Sequence, residues 1–276
     1  MRPGFMAQFG LPDKSAMELL EHADLVPQYL HGTGTEIGAF KTPIPGIQPI
    51  YVDRFTEYAG EPTRAEFFGD ACDLPVHDAS LDYVASSHLI EHSADPLGAI
   101  KEWCRVLKHR GIIYMVVPHR RYTFDHSRAL TTVEHMVEDF HRKTSQVDDT
   151  HIDDFVHGID WALFSPGTPE GEVQKARMRL EEEYRSRIAS GREINIHFHT
   201  FEPMQMGDLF QAANELPIGA HLEMLRIEER FSRSRPDGFL IVARVHKRDA
   251  AVWRRRLFRR FKDGRAASLR PDARRL

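Results

Sequence analysis

Leu81-Asp-Tyr-Val-Ala-Ser-Ser87 precedes Asp95-Pro-Leu-Gly-Ala-Ile-Lys-Glu-Trp-Cys-Arg-Val-Leu107, and Ile112-Ile-Tyr-Met-Val-Val-Pro118 follows. The last run is almost continuously apolar, as a parallel strand buried on both faces should be. Asp95 is placed to cap a helix, with Pro96 at its first position. Leu97, Ile100, Cys104 and Leu107 recur at spacings of three and four, and Lys108-His-Arg-Gly111 reads as the close of that helix. Strand, helix and strand in so short a span make a βαβ unit.

The same rhythm extends outward. Ser15 to about Leu25 reads as a helix, Thr35-Glu-Ile-Gly38 as a strand ending in glycine, and Pro49-Ile-Tyr-Val-Asp53 as a strand ending in a carboxylate. Glu66-Phe-Phe-Gly-Asp70 is a further strand. Met204 to Leu216 looks helical, and His221–Phe231 and Gly238–His246 are a final pair of strands. Alternating strands and helices predict an open α/β sheet. The rhythm breaks between residues 119 and 202, an insertion in which one helix is evident. It starts at Thr168-Pro169-Glu170, carries the stripe Val173, Ala176, Leu180, Tyr184 and Ile188, and ends at Gly191. Its Glu181/Arg185 and Glu183/Arg187 pairs lie on a wet face.

Composition narrows the class. The 276 residues carry 37 Lys and Arg against 41 Asp and Glu, with 41% apolar side chains. That is globular composition, and no run approaches the ~18–20 apolar residues that span a bilayer. Residues 248–276 hold 11 basic and 3 acidic side chains, which leaves an acidic body with a basic tail. Phosphate affinity needs a basic surface on the folded part, so a nucleic-acid partner is not expected. The start, Met1 to Gln8, has no apolar core, so no secretory signal is expected. Cys72 and Cys104 are the two cysteines, too few for a disulfide framework or a Cys-ligated zinc site, and the expected setting is a reducing cytoplasm.

In an open sheet the ligand sits beyond the carboxyl ends of the strands. Asp53, at one such end, is placed to accept from a ribose diol, and Asp70 from the exocyclic amine of an adenine. The loop Ala39-Phe-Lys-Thr-Pro-Ile-Pro-Gly-Ile-Gln-Pro49 carries prolines at 43, 45 and 49, so no regular helix can follow the first strand there. A pyrophosphate would lack the helix dipole that usually holds it. A sulfonium nucleoside, which needs backbone donors and an acidic residue, fits the loop better than a dinucleotide.

The run Gly69-Asp-Ala-Cys-Asp-Leu-Pro-Val-His-Asp-Ala-Ser-Leu-Asp-Tyr-Val-Ala-Ser-Ser-His-Leu-Ile-Glu-His92 resembles the centre of class I S-adenosylmethionine-dependent methyltransferases, and Asp95–Gly111 continues the likeness toward the ubiquinone/menaquinone-methyltransferase-like branch. The resemblance spans residues 32–118 and, more weakly, 204–247. It implies a Rossmann-like, mostly parallel seven-stranded sheet with helices on both faces. It implies one domain over 1–247, with residues 119–202 inserted after the fifth strand as an acceptor lid. Carried over by position, Glu36 and Gly38 would contact the methionine moiety, Asp53 the ribose, and Asp70 and Ala71 the adenine, with Ser87 in the floor. The family's Gly-x-Gly-x-Gly stands here as Gly38-Ala-Phe40-Lys-Thr42. Phe40 and Thr42 are expected to keep ordinary backbone angles where glycine permits close approach.

The insertion holds the candidate acceptor site. Arg128, Thr131, His135 and Asp139 follow Phe124-Asp125 at spacings of three and four, so a helix beginning near Asp125 would set them on one face. Asn195-Ile-His197-Phe-His199-Thr-Phe201 alternates, which puts both histidines on one face if extended. Phe-Asp-x-x-Arg and His-x-His also resemble arrays in bacterial methyltransferases of polysaccharide loci. The expected roles are general base for His135, His199 or His119, and acceptor binding for Asp125, Arg128, Thr131 and His197; His88 and His92, after the fourth strand, are the reserve bases. A histidine suits removal of a hydroxyl proton near neutral pH. His-x-His with a distant Asp or His offers metal-ligand types, but no recognised spacing is completed, so no metal is expected. The reading is O-methylation of a sugar hydroxyl in a glycan or its precursor. The alternatives are a small natural-product or quinone-like acceptor, or a non-catalytic protein of this fold that binds a partner. Trp253, Leu257 and Phe261 share a helical face among arginines, which suits a peripheral contact with the inner membrane.

Overall fold

The computed structural model describes residues 19–58, 60–145, 149–233 and 236–248. Strand β1 (Gly34–Ile37), buried throughout, pairs in parallel with β2 (Ile50–Asp53) and β4 (Leu81–Ser87). Beyond β2 lies the short β3 (Phe67–Phe68), and beyond β4 lies β5 (Leu107–Pro118). The hairpin of β6 (Ala220–Phe231) and β7 (Gly238–Lys247) completes the sheet, with β7 antiparallel between β5 and β6. The order β3-β2-β1-β4-β5-β7-β6 is that of a Rossmann-like seven-stranded, mostly parallel sheet.

Side-chain alternation divides the core by face. Val84, Ile113, Met115, Ile241 and Ala243 pack on one side with α2 (Pro96–Val106) and α7 (Pro203–Glu215). Tyr83, Ala85, Tyr114, Leu240 and Val242 face α1 (His22–Tyr29) on the other. Asp95 caps α2 by accepting the Gly98 N–H at 2.7 Å.

Three boundaries move. Helix α2 ends at Val106 rather than near Gly111, because Leu107 already pairs with Leu81 and opens β5. Core burial of Leu107 serves strand and helix alike, so its helical spacing misleads. Helix α1 begins at His22, where Glu21 and Asp24 form a reciprocal capping box. Of the expected helix from Ser15, residues up to 18 lie outside the described residues. Among the described residues of the insertion, four α-helices stand where one was evident: α3 (Val133–Arg142), α4 (Asp149–Gly158), α5 (Trp161–Phe164) and α6 (Val173–Ala189). Helix α3 is capped by Thr132, whose hydroxyl accepts the His135 N–H at 3.2 Å, so Arg128 and Thr131 precede it and share no helical face with His135 and Asp139.

The insertion has an apolar core of its own, built from Ile152, Phe155, Val156, Trp161, Ile196 and Phe198. The stripe read on α6, Val173 to Ile188, packs against it, and Glu181 and Arg185 pair at 3.1 Å on the outer face. Among the described residues no helix is long and apolar enough to cross a membrane. The basic tail from residue 249, with its aromatic stripe, lies outside them.

Candidate active site

A cavity of about 1280 Å³ opens at the carboxyl ends of the strands, between the sheet and the insertion. Gly38, Asp53, Asp70, Ala71 and Ser87 line one part of it. Gly38 has φ +72°, and a Cβ there would lie 2.9 Å from Leu89 Cδ1, so glycine is required on two counts. Phe40 departs from expectation. Its φ of 41° lies in the left-handed region, the conformation a glycine of the family motif would supply, so the loop keeps its path at the cost of strain.

Asp53 accepts the Phe55 N–H at 3.0 Å, which fixes the carboxylate while leaving lone pairs for a diol, and burial raises its pKa. Asp70 accepts the Cys72 N–H at 2.8 Å and pairs with Arg54 at 2.9 Å. The same Arg54 guanidinium also binds Glu193, from the end of the insertion, so it spans the cavity rim. Glu36 lies elsewhere. Its side chain does not line the cavity but accepts the Ile44 N–H at 2.9 Å and ties down the proline-rich loop. Burial pushes its pKa up to about 7, against the smaller opposing effect of that hydrogen bond.

The other part of the cavity is made where the end of β4 meets the insertion, and Ile188, Ile194 and Phe198 contribute apolar wall there. Glu91, His92, Asn195 and His197 line it. His92 Nδ1 donates to the Ile196 carbonyl at 2.9 Å, which leaves Nε2 on the side of Glu91, 3.6 Å away. His197 Nδ1 lies 2.6 Å from Asp125 Oδ2, and its Nε2 lies 4.0 Å from Glu91 Oε1. Burial alone would raise the Asp125 carboxyl, but the hydrogen bond and charge of His197, with the Arg128 charge, hold it below the usual range. Arg128 is wholly buried. It pairs with Asp125 at 2.7 Å and Asp154 at 2.6 Å and donates to the carbonyls of His197 and Phe198.

Of the residues expected to bind acceptor, His197 therefore reaches the cavity, while Asp125 and Arg128 stand behind it as its support. Thr131 is engaged by Thr200, each accepting the other's backbone N–H at 3.0 Å. The three histidines expected as bases do not line the cavity. His119 is buried against Tyr122 and Phe239, its Nδ1 accepts the Arg121 N–H, and burial lowers its pKa to about 4. His135 and His199 meet Asp139 and His151 in a separate cluster. His197 and His199 thus serve different partners, because the segment from 192 to 200 forms no regular strand. Glu91, Asn195 and the Arg54–Glu193 link were not singled out from sequence. Glu91 sits within the quoted central run, next to His92, and that proximity was the available signal.

The profile of a family described as a methyltransferase domain matches residues 51–115. No curated protein matches the chain. Among solved structures it is similar to an S-adenosylmethionine-dependent methyltransferase of Methanosarcina mazei, at 17% identity and TM-score 0.45, over 83% of this chain and 100% of the other. A possible histamine N-methyltransferase of Thermotoga maritima is also similar, at 17% identity and TM-score 0.41, over 82% and 87%. A third similar structure is a methyltransferase of Aquifex aeolicus, at 9% identity and TM-score 0.40, over 89% and 99%.

The matched segment runs from β2 through α2 into β5, and so contains Asp53, Asp70, Ser87 and Glu91. With the strand order, it makes the chain a class I methyltransferase. It is an enzyme whose cofactor is S-adenosylmethionine. The residues present fit that cofactor: two carboxylates stand at successive strand ends, the Gly38 turn bares its backbone, and the cavity is roomy enough for cofactor and acceptor together.

Proposed function

We propose that this methyltransferase acts on a hydroxyl of a sugar, within a glycan or a glycan precursor, with His197 as general base. The observation that carries the reading is the 2.6 Å contact between His197 Nδ1 and Asp125 Oδ2 at the wall of the cofactor cavity. A carboxylate only accepts, so Nδ1 holds the hydrogen and Nε2 presents its lone pair. Asp125 orients the ring and stabilises the imidazolium that forms once the ring takes a proton, as the aspartate of a catalytic triad does.

When bound, S-adenosylmethionine supplies an electrophilic methyl group on a sulfonium centre. Asp53 and Asp70 hold its ribose and adenine, and Ser87 floors the pocket. His197 Nε2 takes the proton of the acceptor hydroxyl, and the positive charge is shared with Asp125. The protein's remaining task is alignment, which can supply several kcal/mol of barrier lowering. Glu91, His92, Asn195 and Arg192 give the acceptor region carboxylate, imidazole, amide and guanidinium groups. Those groups suit a polyol, and Ile188, Ile194 and Phe198 in the same lining can pack against its apolar ring faces.

Transfer of radiolabelled methyl to nucleotide sugars and oligosaccharides, set against phenols and quinols, tests the reading. Incorporation into carbohydrate, released on glycan hydrolysis as an O-methyl sugar, is expected. Turnover of the phenols or quinols with none of the carbohydrates would sink it.

A further inference from the structure

His135, Asp139, His151 and His199 bring together three imidazole nitrogens and one carboxylate oxygen, all within 4.8 Å of one another. They come from three parts of the insertion. His135 and Asp139 stand one turn apart on α3, His151 comes from α4, and His199 from the segment leading to α7. None of them lines the cofactor cavity.

We propose that these four side chains form a closed, four-coordinate site for a divalent transition metal, with zinc the best match. Zinc held by nitrogen and oxygen at ~2.0–2.1 Å in a tetrahedron sets its ligand atoms about 3.3–3.4 Å apart. The separations are 3.3 Å for His135 Nε2 to His151 Nε2, 3.3 Å for His135 Nε2 to Asp139 Oδ2, and 3.2 Å for His199 Nε2 to Asp139 Oδ2. Three imidazoles and a carboxylate suit zinc's borderline softness, and four protein ligands leave no open position, which marks a structural centre.

The surroundings supply a second line of argument. His199 Nδ1 lies 3.1 Å from the Ser93 carbonyl oxygen, which can only accept, so the hydrogen of that ring is on Nδ1. Its Nε2 lone pair then faces Asp139 Oδ2, two acceptors at 3.2 Å with something positive required between them. Asp139 Oδ1 is in turn fixed by the Thr144 hydroxyl at 3.0 Å. An outer carbonyl on the histidine and an outer hydroxyl on the carboxylate are the partners that orient metal ligands. The other cluster in the insertion with comparable ligand types, Asp153, His157 and Glu181, has no buried member, and Glu91, His92 and His197 belong to the acceptor cavity. His135, whose side chain is 40% exposed, gives an ion access from solvent.

Bound there, zinc fastens α3 and α4 to the segment that carries His197, two residues before His199. It positions that wall and touches neither cofactor nor acceptor.

The test uses the full chain, purified without a polyhistidine tag, loaded with zinc sulfate and desalted. About one zinc per chain is expected by mass spectrometry, and cobalt loading should give the intense visible bands of four-coordinate Co²⁺. A high-affinity chelator should lower Tm by on the order of 5–10 °C, restored by zinc. Asp139→Ala and His151→Ala should lose the metal, while His197→Ala keeps it. His135→Cys, at the exposed ligand, should retain cobalt and add a thiolate charge-transfer band, which serves if the buried variants fail to fold. Less than about one zinc per ten wild-type chains, with Tm indifferent to chelator, would show that protons alone hold the cluster. Undiminished zinc in Asp139→Ala would overturn the site equally. Neither result bears on whether His197 is the base.

Discussion

His197 Nδ1 is held 2.6 Å from Asp125 Oδ2 across 72 residues of sequence, and Arg128 Nη1 grips the other Asp125 oxygen at 2.7 Å. The proposed base is thus set by a buried relay from guanidinium to carboxylate to imidazole. His197→Ala should lower kcat by ~10²–10⁴ with cofactor affinity unchanged. Asp125→Asn, which allows the wrong tautomer, should approach the same loss. Steady-state kinetics with calorimetric binding of S-adenosylmethionine checks both. Wild-type kcat in both variants would return the base to His88 or His92.

Arg128→Met removes the cation between two carboxylates. With Asp125 then buried and left to His197 alone, stability should fall by ~3–5 kcal/mol, read from urea denaturation. A loss below about 1 kcal/mol would mean that water replaces the guanidinium.

Asp53→Asn keeps an acceptor for the Phe55 N–H and loses the charge, whereas Asp53→Ala loses both. Cofactor affinity should drop roughly ten- to a hundredfold in the alanine variant and less in the amide. Equal, wild-type affinities in both would separate Asp53 from the ribose.

Phe40 at φ 41° predicts an inverted series. Phe40→Gly should hold or raise stability, and Phe40→Val, β-branched in the left-handed region, should cost about 1–2 kcal/mol and weaken cofactor binding. Thermal melts of the two variants decide it. A valine variant as stable as the wild type would deny the strain.

Glu36 gives a pH signature. Its folded-state pKa of about 7 exceeds the ordinary 4.5, so the native state holds this proton more tightly than the unfolded chain. Its contribution is full below about pH 4.5 and is lost as pH rises through about 7. Relative to Glu36→Gln, wild-type stability should therefore decline across that window, by at most on the order of 3 kcal/mol. A constant difference between the two would remove the assignment.

Strands and strand ends were legible because a parallel strand writes itself as an apolar run, even at the exposed Phe67–Phe68 edge, and Asp53, Asp70 and Ser87 sit at the ends of such runs. Helix α6 was legible from its stripe. Helices α3 to α5 were not, being 10, 10 and 4 residues long; α3 packs on α2 and α7, and α4 and α5 bury their apolar side chains in the core of the insertion. Arg128 suggested a ligand contact because it stood with Thr131, His135 and Asp139 at helical spacing, and the two aspartates that instead hold it lie at positions 125 and 154, one of them on another element. Glu36 matched its motif position, yet its side chain turned to a backbone amide eight residues on, a choice that spacing does not record.

The Arg54 bridge bears on the rhythm of turnover. Arg54 and its two partners, Asp70 and Glu193, are exposed, with side chains 41%, 38% and 47% accessible, and ion pairs in such settings are worth under about 1 kcal/mol each. A fastening that weak opens by thermal motion far faster than an enzyme of ordinary speed completes a cycle. It also loosens further as ionic strength rises. The rim beside Asp70 can therefore open without the insertion unfolding or swinging away, next to the end of the cavity proposed for the adenine.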